Sequence, residues 1–554
     1  MPRMIKHLSL MAALLVPLAP MAQAQGFAGA FLAAKSANIA NDYPEAAFYY
    51  TRAMIGQPEN GFIMQSAMFA YVAAGDVPAG SAIATKMTAA GFRDEYAQSV
   101  LIASAMGRQD YNAALALLRD PEFEIHPLIS QMAMGWALIG SGQAEAGMAA
   151  FTEGSENDTI ASFGRYNEAM ALAYLGRFAE ADTLFRQGGA YVNRGSLLAH
   201  AQILVALGQE DSALSLMARG PGSRFTDRES DELRRKLVEG EAIAFDRIEM
   251  PQDGLAEAFL VLGDALNTDG SARLALLYGR LAAFLQPDNA EALLLTGDIL
   301  TEQQQFDLAL DAYKEVPESD PLALNAKLGQ VLALRRSERL DEAVSTLRDA
   351  LVIEADSISL WQSLGDVYLQ NDEPEAAIAA FSSAIDLLPD PDMPAAWRLY
   401  YSRAIAEHKS DDWPRAEADF RQALKLMPDE ANVLNYLGYS LVERGEKLDE
   451  ALEMIESAAA SRPDSGAISD SLGWVYFQLG RYEEAEAEME RAVQLLPVDP
   501  ILSDHYGDVL WMVDRKREAR FQWRRALSYG PEPEDAVRIR DKLERGLDAV
   551  LADE

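Results

Sequence analysis

The stretch Trp361–Pro389, WQSLGDVYLQNDEPEAAIAAFSSAIDLLP, decides the fold. Two helical patterns of about a dozen residues flank the turn Asn371-Asp-Glu-Pro374. Trp361, Leu364 and Tyr368 line one side of the first, and Ala377, Phe381 and Ala384 one side of the second. Small Gly365 and Ala377 let the two helices approach closely, the large side chains fill the space between them, and Pro389 closes the unit. A helix pair of this size cannot bury its own apolar face, so it predicts neighbours of the same kind.

Those positions match all eight signature places of the tetratricopeptide (TPR) repeat, a 34-residue helix-turn-helix unit, which this stretch resembles. The pattern recurs in phase. Gly438, Ala451, Ala458 and Pro463, then Gly473, Tyr476, Ala485, Ala492 and Pro497, then Gly507, Ala519, Ala526 and Pro531 are the most regular repeats. Before them come units with Gly263, Ala275, Ala282 and Pro287, and with Gly297, Ala309 and Pro321, then a looser one with Gly329, Ala343 and Ala350. Another, with Ala404, Ala416, Phe420, Ala423 and Pro428, is displaced by an insertion around Asp390 to Pro394. Toward the N-terminus the signature is diluted, and glycines expected to end the first helix in a left-handed conformation mark the period. Gly75, Gly107, Gly142, Gly176 and Gly208 lie 32, 35, 34 and 32 residues apart.

The chain therefore reads as an all-α TPR superhelical solenoid of roughly 14 helix-turn-helix repeats with a C-terminal capping helix. A degenerate N-terminal solenoid covers 25–220, and a connector with a charged helix from Thr226 to Ile248 occupies 221–253. A second solenoid covers 254–533, and a capping helix and tail occupy 534–554. Residues 1–24 read as a signal peptide: Arg3, Lys6 and His7 precede the apolar run Leu8–Ala19, and Ala22-Gln23-Ala24 is a cleavage site. The run is too short to span a bilayer, so no transmembrane segment is expected after cleavage, and the mature protein is expected in the periplasm or secreted.

A net charge of −38 argues against nucleic acid as a partner, because a polyanion is repelled by the mean field. The chain has no cysteine, which removes disulfides, thiolate metal sites and thiol nucleophiles. His7, His126, His200, His408 and His505 form no H-x-x-x-H pair of the kind a helical zinc site needs. No P-loop or nucleophile elbow is present, and Asp390 with Asp392 supplies only half of a calcium loop. The expectation is a protein that is not an enzyme and uses no cofactor and no metal.

What remains is the groove that the first helices of TPR units line. Between the signature positions, the C-terminal repeats place two columns of side chains there. One is Gln362, Tyr401, Asn435, Asp470 and Asp504; the other is Asp366, Ile405, Tyr439, Trp474 and Asp508. Phe477 and Trp511 follow one turn further along. Amides that hold an extended backbone, beside rigid aromatic anchors, suit a peptide or protein segment. A basic cluster including Arg515, Arg520, Arg525, Arg538, Lys542 and Arg545 reads as a solvated outer face with acidic i,i+4 partners.

The segments Leu434–Leu441 (LNYLGYSL), Leu448–Ile455 (LDEALEMI), Asp470–Val475 (DSLGWV) and Asp504–Val509 (DHYGDV), followed by Gln522–Leu527 (QWRRAL), are more specific. They resemble a family of long proteobacterial envelope TPR proteins. Members include lipoprotein adaptors that gather a carboxyl-terminal processing protease and its peptidoglycan-hydrolase substrates. The resemblance implies a periplasmic scaffold whose partners are other proteins or peptides, among them such a protease or cell-wall hydrolases. This chain lacks the lipid-anchoring Cys of those lipoproteins. The alternative is a TPR component of a polysaccharide or protein export system.

Overall fold

A computed structural model describes residues 26–122, 125–151, 158–188, 194–219 and 228–553. The expected signal peptide, the turn at Gly220 and the connector's expected start at Thr226 lie outside them. The described residues are all-α, without strands, and form fourteen helix pairs. Six pairs run from Phe27–Ile39 with Tyr43–Gly56 to Arg194–Ala206 with Glu210–Arg219. The lone helix Arg228–Glu239 follows, and then eight pairs from Pro251–Thr268 with Ala272–Leu285 to Pro500–Met512 with Lys516–Ser528.

One backbone device repeats in every pair: a residue in the left-handed region sits between the first helix and the second, joined in one turn, after Gly445, by a second at Lys447. Glycine fills it at 75, 142, 176, 208, 270, 445 and 480, and Asn41, Gln109, Gln304, Glu338, Asp372, Asp411 and Asp514 fill it elsewhere. The next amide reaches back five residues to close the helix end, as Asp76 N–H does to the Tyr71 carbonyl and Glu373 N–H to that of Tyr368, both at 2.8 Å. An aspartate after the left-handed residue often caps the second helix, as Asp76 Oδ1 does by accepting from Ala79 N–H at 2.9 Å. Gly107 was expected to make one of these turns and does not. It lies inside its helix against Phe284, where a Cβ would stand 2.8 Å from the ring, and Gln109 makes the turn at φ 58°.

Within Trp361–Pro389 the packing is as the spacing requires. A Cβ on Gly365 would stand 2.6 Å from the Phe381 ring, and Leu364, Tyr368, Phe381 and Ala384 are buried. The same closeness recurs at Gly473 against Met489 and at Gly507 against Trp523. Each fully buried aromatic in such an interface contributes about 1.5–3 kcal/mol of hydrophobic stabilisation.

The molecule divides into two compact units, Met1–Arg339 and Leu340–Glu554. Within the first, residues 251–303 pack against the N-terminal repeats. Gly254 lies flat on Trp136, and Phe284 occupies the space left by Gly107. Tyr111 Oη donates to Gln252 Oε1 at 2.8 Å, Tyr166 Oη to Glu257 Oε1 at 3.1 Å and Tyr43 Oη to Gln303 Oε1 at 2.6 Å. Arg280 Nε donates to the Ala73 carbonyl at 3.2 Å, and burial pushes its guanidinium down to about 10. Helices from the eight-pair run thus fill the side of the N-terminal repeats that faces them.

The second unit holds the helix Leu340–Ile353, five complete pairs and the terminal helices Pro533–Arg545 and Leu547–Leu551. The insertion before Trp397 forms one turn of 3-10 helix, Pro394–Ala396. A single terminal helix was expected from 534 to 551, and the structure breaks it at Gly546. That glycine has φ 85°, and a Cβ there would stand 2.6 Å from Trp511.

Candidate protein-binding face

The two columns of the second unit end differently from how they begin. Gln362, Asp366, Tyr401, Ile405, Asn435 and Tyr439 are half-buried, each keeping part of its surface in solvent. Asp470, Trp474, Phe477, Asp504, Asp508 and Trp511 were expected to line an open groove; all six are buried in contacts within the chain.

The open part is aromatic. Tyr401 packs edge-on against Tyr436 with centroids 6.2 Å apart, and Tyr436 lies 5.1 Å from Phe420 and 5.8 Å from His408. Burial raises Tyr401 to about 12, so its hydroxyl stays protonated at neutral pH. Tyr439 is raised further, first by burial and then by the Glu443 carboxylate that its hydroxyl bonds. Between the two tyrosines in the columns, Asn435 Oδ1 is buried and accepts no hydrogen bond. A buried amide oxygen without a donor costs about 1–3 kcal/mol.

The closed part begins at Trp474, whose Nε1–H donates to Glu443 Oε1 at 2.8 Å. Its ring stacks between Phe477 and His505, with centroids 4.8 and 4.1 Å away. His505 Nδ1 lies 3.0 Å from Asp470 Oδ1. Burial alone would lower this imidazole, and the carboxylates of Asp470, Asp504 and Asp508 together raise the net value.

Beyond them, Lys542 Nζ donates to Asp504 Oδ2 at 2.8 Å and to Asp508 Oδ2 at 2.6 Å. Arg538 Nη2 reaches Asp504 Oδ2 at 3.3 Å, and Trp523 Nε1–H donates to Asp508 Oδ1 at 2.9 Å. Burial raises Asp508 to about 6 against the pull of Lys542. Trp511 Nε1–H donates to Asp548 Oδ2 at 3.0 Å, which ties down the last helix.

Lys542 was expected on a solvated outer face; it is 2% exposed. Sequence reasoning also left Arg538, His505 and Glu443 out of the site. A signal for Arg538 and Lys542 was there: they follow Asp504 and Asp508, respectively, by 34 residues, so they continue the columns by one period. The other basic residues divide. Arg515 pairs with Glu486 and Glu518, Arg520 Nη1 donates to the Leu543 carbonyl at 3.1 Å, and Arg545 pairs with Asp541 and Asp553. Asp392 accepts from Gln422 Nε2 at 2.9 Å and Lys425 Nζ at 3.1 Å, an ordinary surface pairing.

The first unit carries its own polar centre. Arg247 Nη1 lies 3.0 Å from Glu229 Oε1, and Nη2 lies 3.9 Å from both Glu257 and Glu291. It joins the segment after the lone helix to the first pairs of the second run. Among the described residues, no group of three or more His, Cys, Asp or Glu is arranged to hold a metal ion. No helix there is long and apolar enough to cross a membrane.

The family model for the tetratricopeptide repeat matches residues 280–323, 294–358, 363–431, 401–447 and 437–500. The chain is 33% identical over 202 residues to the TPR repeat-containing protein PA4667 of Pseudomonas aeruginosa, covering 36% of this chain and 33% of that one. It is 27% identical over 141 residues to the general transcriptional corepressor ssn6 of Schizosaccharomyces pombe, covering 26% and 12%. The matched stretches thus span a third or less of these relatives' lengths. Among solved structures, the APC/C hetero-tetramer Cut9-Hcn1 aligns over 95% of this chain and 97% of its own, with 16% identity and a TM-score of 0.39. The helix pairs, their turns and the matched repeats together make this an all-α tetratricopeptide-repeat fold.

Proposed function

We propose that the protein is a non-catalytic scaffold that holds protein segments along the first helices of the pairs between Ile358 and Glu443. The observation that carries this reading is the run of half-buried side chains on these first helices, where Gln362, Tyr401, Asn435 and Tyr439 keep part of their surface in solvent. The tyrosines offer anchoring area to an extended segment at low entropic cost. In the first unit, Trp136 and Gly107 on first helices are covered by Gly254 and Phe284, which favours the second unit in this reading.

The likeness of Leu434–Leu441 and its neighbouring segments to envelope adaptors makes the proposed partners a carboxyl-terminal processing protease and the cell-wall hydrolases it cuts. The proposed compartment is the periplasm. Crosslinking of tagged protein in its native host, followed by mass spectrometry, tests this by comparing wild type with Asn435→Ala/Tyr439→Ala. Capture of a protease or hydrolase by wild type and its loss in the variant is expected. An unchanged partner set would move the site elsewhere, and a partner set made only of export machinery would overturn the adaptor reading.

A further inference from the structure

The helix Pro533–Arg545 follows the last repeat at the place where a further first helix would begin. It presents Arg538 and Lys542, one turn apart, to Asp504 and Asp508, also one turn apart. Lys542 bonds both carboxylates and Arg538 reaches the first. The apolar contribution of this helix is small: only Ala536 and Ile539 are buried apolar residues on it, while Val537 is 63% exposed. It is tied on one side by the turn at left-handed Gly530 and Pro531 and on the other by the helix Leu547–Leu551, where Leu547 and Val550 are buried and Asp548 accepts from Trp511 Nε1–H.

Two adjacent buried carboxylates are costly without a cation, and a hydrophobic cap of the same size would close a helix array without them. The acid pair is therefore suited to receive a particular kind of helix and not merely to end the array. A second observation points the same way. Asp504 is 2% exposed, and its Oδ1 accepts no hydrogen bond, so the resident helix leaves one buried acceptor of the pair unused.

We infer that Asp504 and Asp508 form a docking site for a basic helix carrying Lys or Arg at i and i+4, and that Pro533–Arg545 is its resident, displaceable occupant. A partner helix of that chemistry replaces Lys542 and Arg538, supplies the donor that Asp504 Oδ1 lacks, and opens the closed end of the columns. This deepens the scaffold reading and rests on it only in taking the first helices of the second unit as the docking face. The resident helix lowers the apparent affinity of any competitor by the fraction of time it is docked, so weakening it raises that affinity.

The test uses the full chain and a fluorescein-labelled synthetic peptide of residues 531–553, read by anisotropy. Binding to the Arg538→Ala/Lys542→Ala chain is expected to be about tenfold or more tighter than to wild type. Binding is expected to be lost with a peptide carrying Lys542→Met, or when Asp508→Asn is added to the chain. Circular dichroism reports whether the double variant keeps its helix content. If it does not, Arg538→Ala alone is the host, since Arg538 is largely exposed, and binding equal to wild type then overturns the proposal.

Absence of binding, or binding indifferent to the peptide's lysine, overturns it too. A doubling of mass for the variant chain would assign the site to a second copy's terminal helix and overturn the displaceable-partner reading. Because the peptide comes from this chain, its binding stands or falls apart from whether Asn435 and Tyr439 capture a protein in the host.

Discussion

Lys542 Nζ stands 2.6 Å from Asp508 Oδ2 and 2.8 Å from Asp504 Oδ2, with the ammonium and both carboxylates sealed from solvent. This one cation, from beyond the last repeat, determines that the acidic end of the columns is closed.

Removing the cation strands two buried charges. Lys542→Ala is expected to destabilise the C-terminal repeats by about 3–5 kcal/mol. Adding Asp508→Asn should recover part of that loss, because the two residues share one network. Urea unfolding followed by tryptophan fluorescence measures both; additive losses would contradict the pairing.

Proton binding gives a second handle. Glu407 is raised to about 7 by burial and by Asp419, with Arg415 and Arg403 pulling the other way and Asp412 adding to the rise. Asp508 is raised to about 6. Each binds its proton more tightly folded than unfolded, so its stabilisation is full below the unfolded value and is lost as pH rises through the folded one. His505, also raised, has the same sign, while His408, lowered by burial, opposes them. Glu407→Gln isolates one contribution. The variant should lose less stability than wild type between pH 5 and 8. Equal losses would contradict the assignment.

In the first unit, a Cβ on Gly254 would stand 1.9 Å from Trp136 Cε2. Gly254→Ala must push the helix Pro251–Thr268 off its neighbour, at about 1–3 kcal/mol. Gly142→Ala meets no atom and is strained only by its left-handed backbone. A thermal melt in which Gly254→Ala matched wild type would contradict the packing of 251–303 on the N-terminal repeats.

Arg247 lies 3.0 Å from Glu229 and 3.9 Å from Glu257 and Glu291, and its own side chain is largely buried. Arg247→Ala removes the charged hydrogen bond to Glu229 and the nearby cation from Glu257 and Glu291, and should cost about 1.5–3 kcal/mol. Arg234→Ala, on the exposed side of the helix Arg228–Glu239, should cost less than about 1 kcal/mol. Unfolding curves that ranked the two alike would contradict this.

The repeats were legible because helix pairs that must pack closely impose small residues and turn geometry at a fixed period. Gly365 against Phe381 and the turn at Gly75 follow from that requirement. Gln109 hides the same turn because a non-glycine residue occupies the left-handed place. The columns were legible as positions, but their exposure was not. Whether Asp504 faces solvent depends on Lys542, and whether the N-terminal repeats are open depends on contacts such as Tyr43 with Gln303, which no period relates. Periodicity reports packing between neighbours; it is silent on what a distant segment covers.

The account's central claim is that protein segments dock on the half-open columns of the second unit. A photoreactive amino acid placed at position 362, on that face, and in a second chain at exposed position 453, on a second helix, tests it in the native host. Protein adducts from 362 and none from 453 are predicted. Adducts from 453, or equal adducts from both, would contradict the claim.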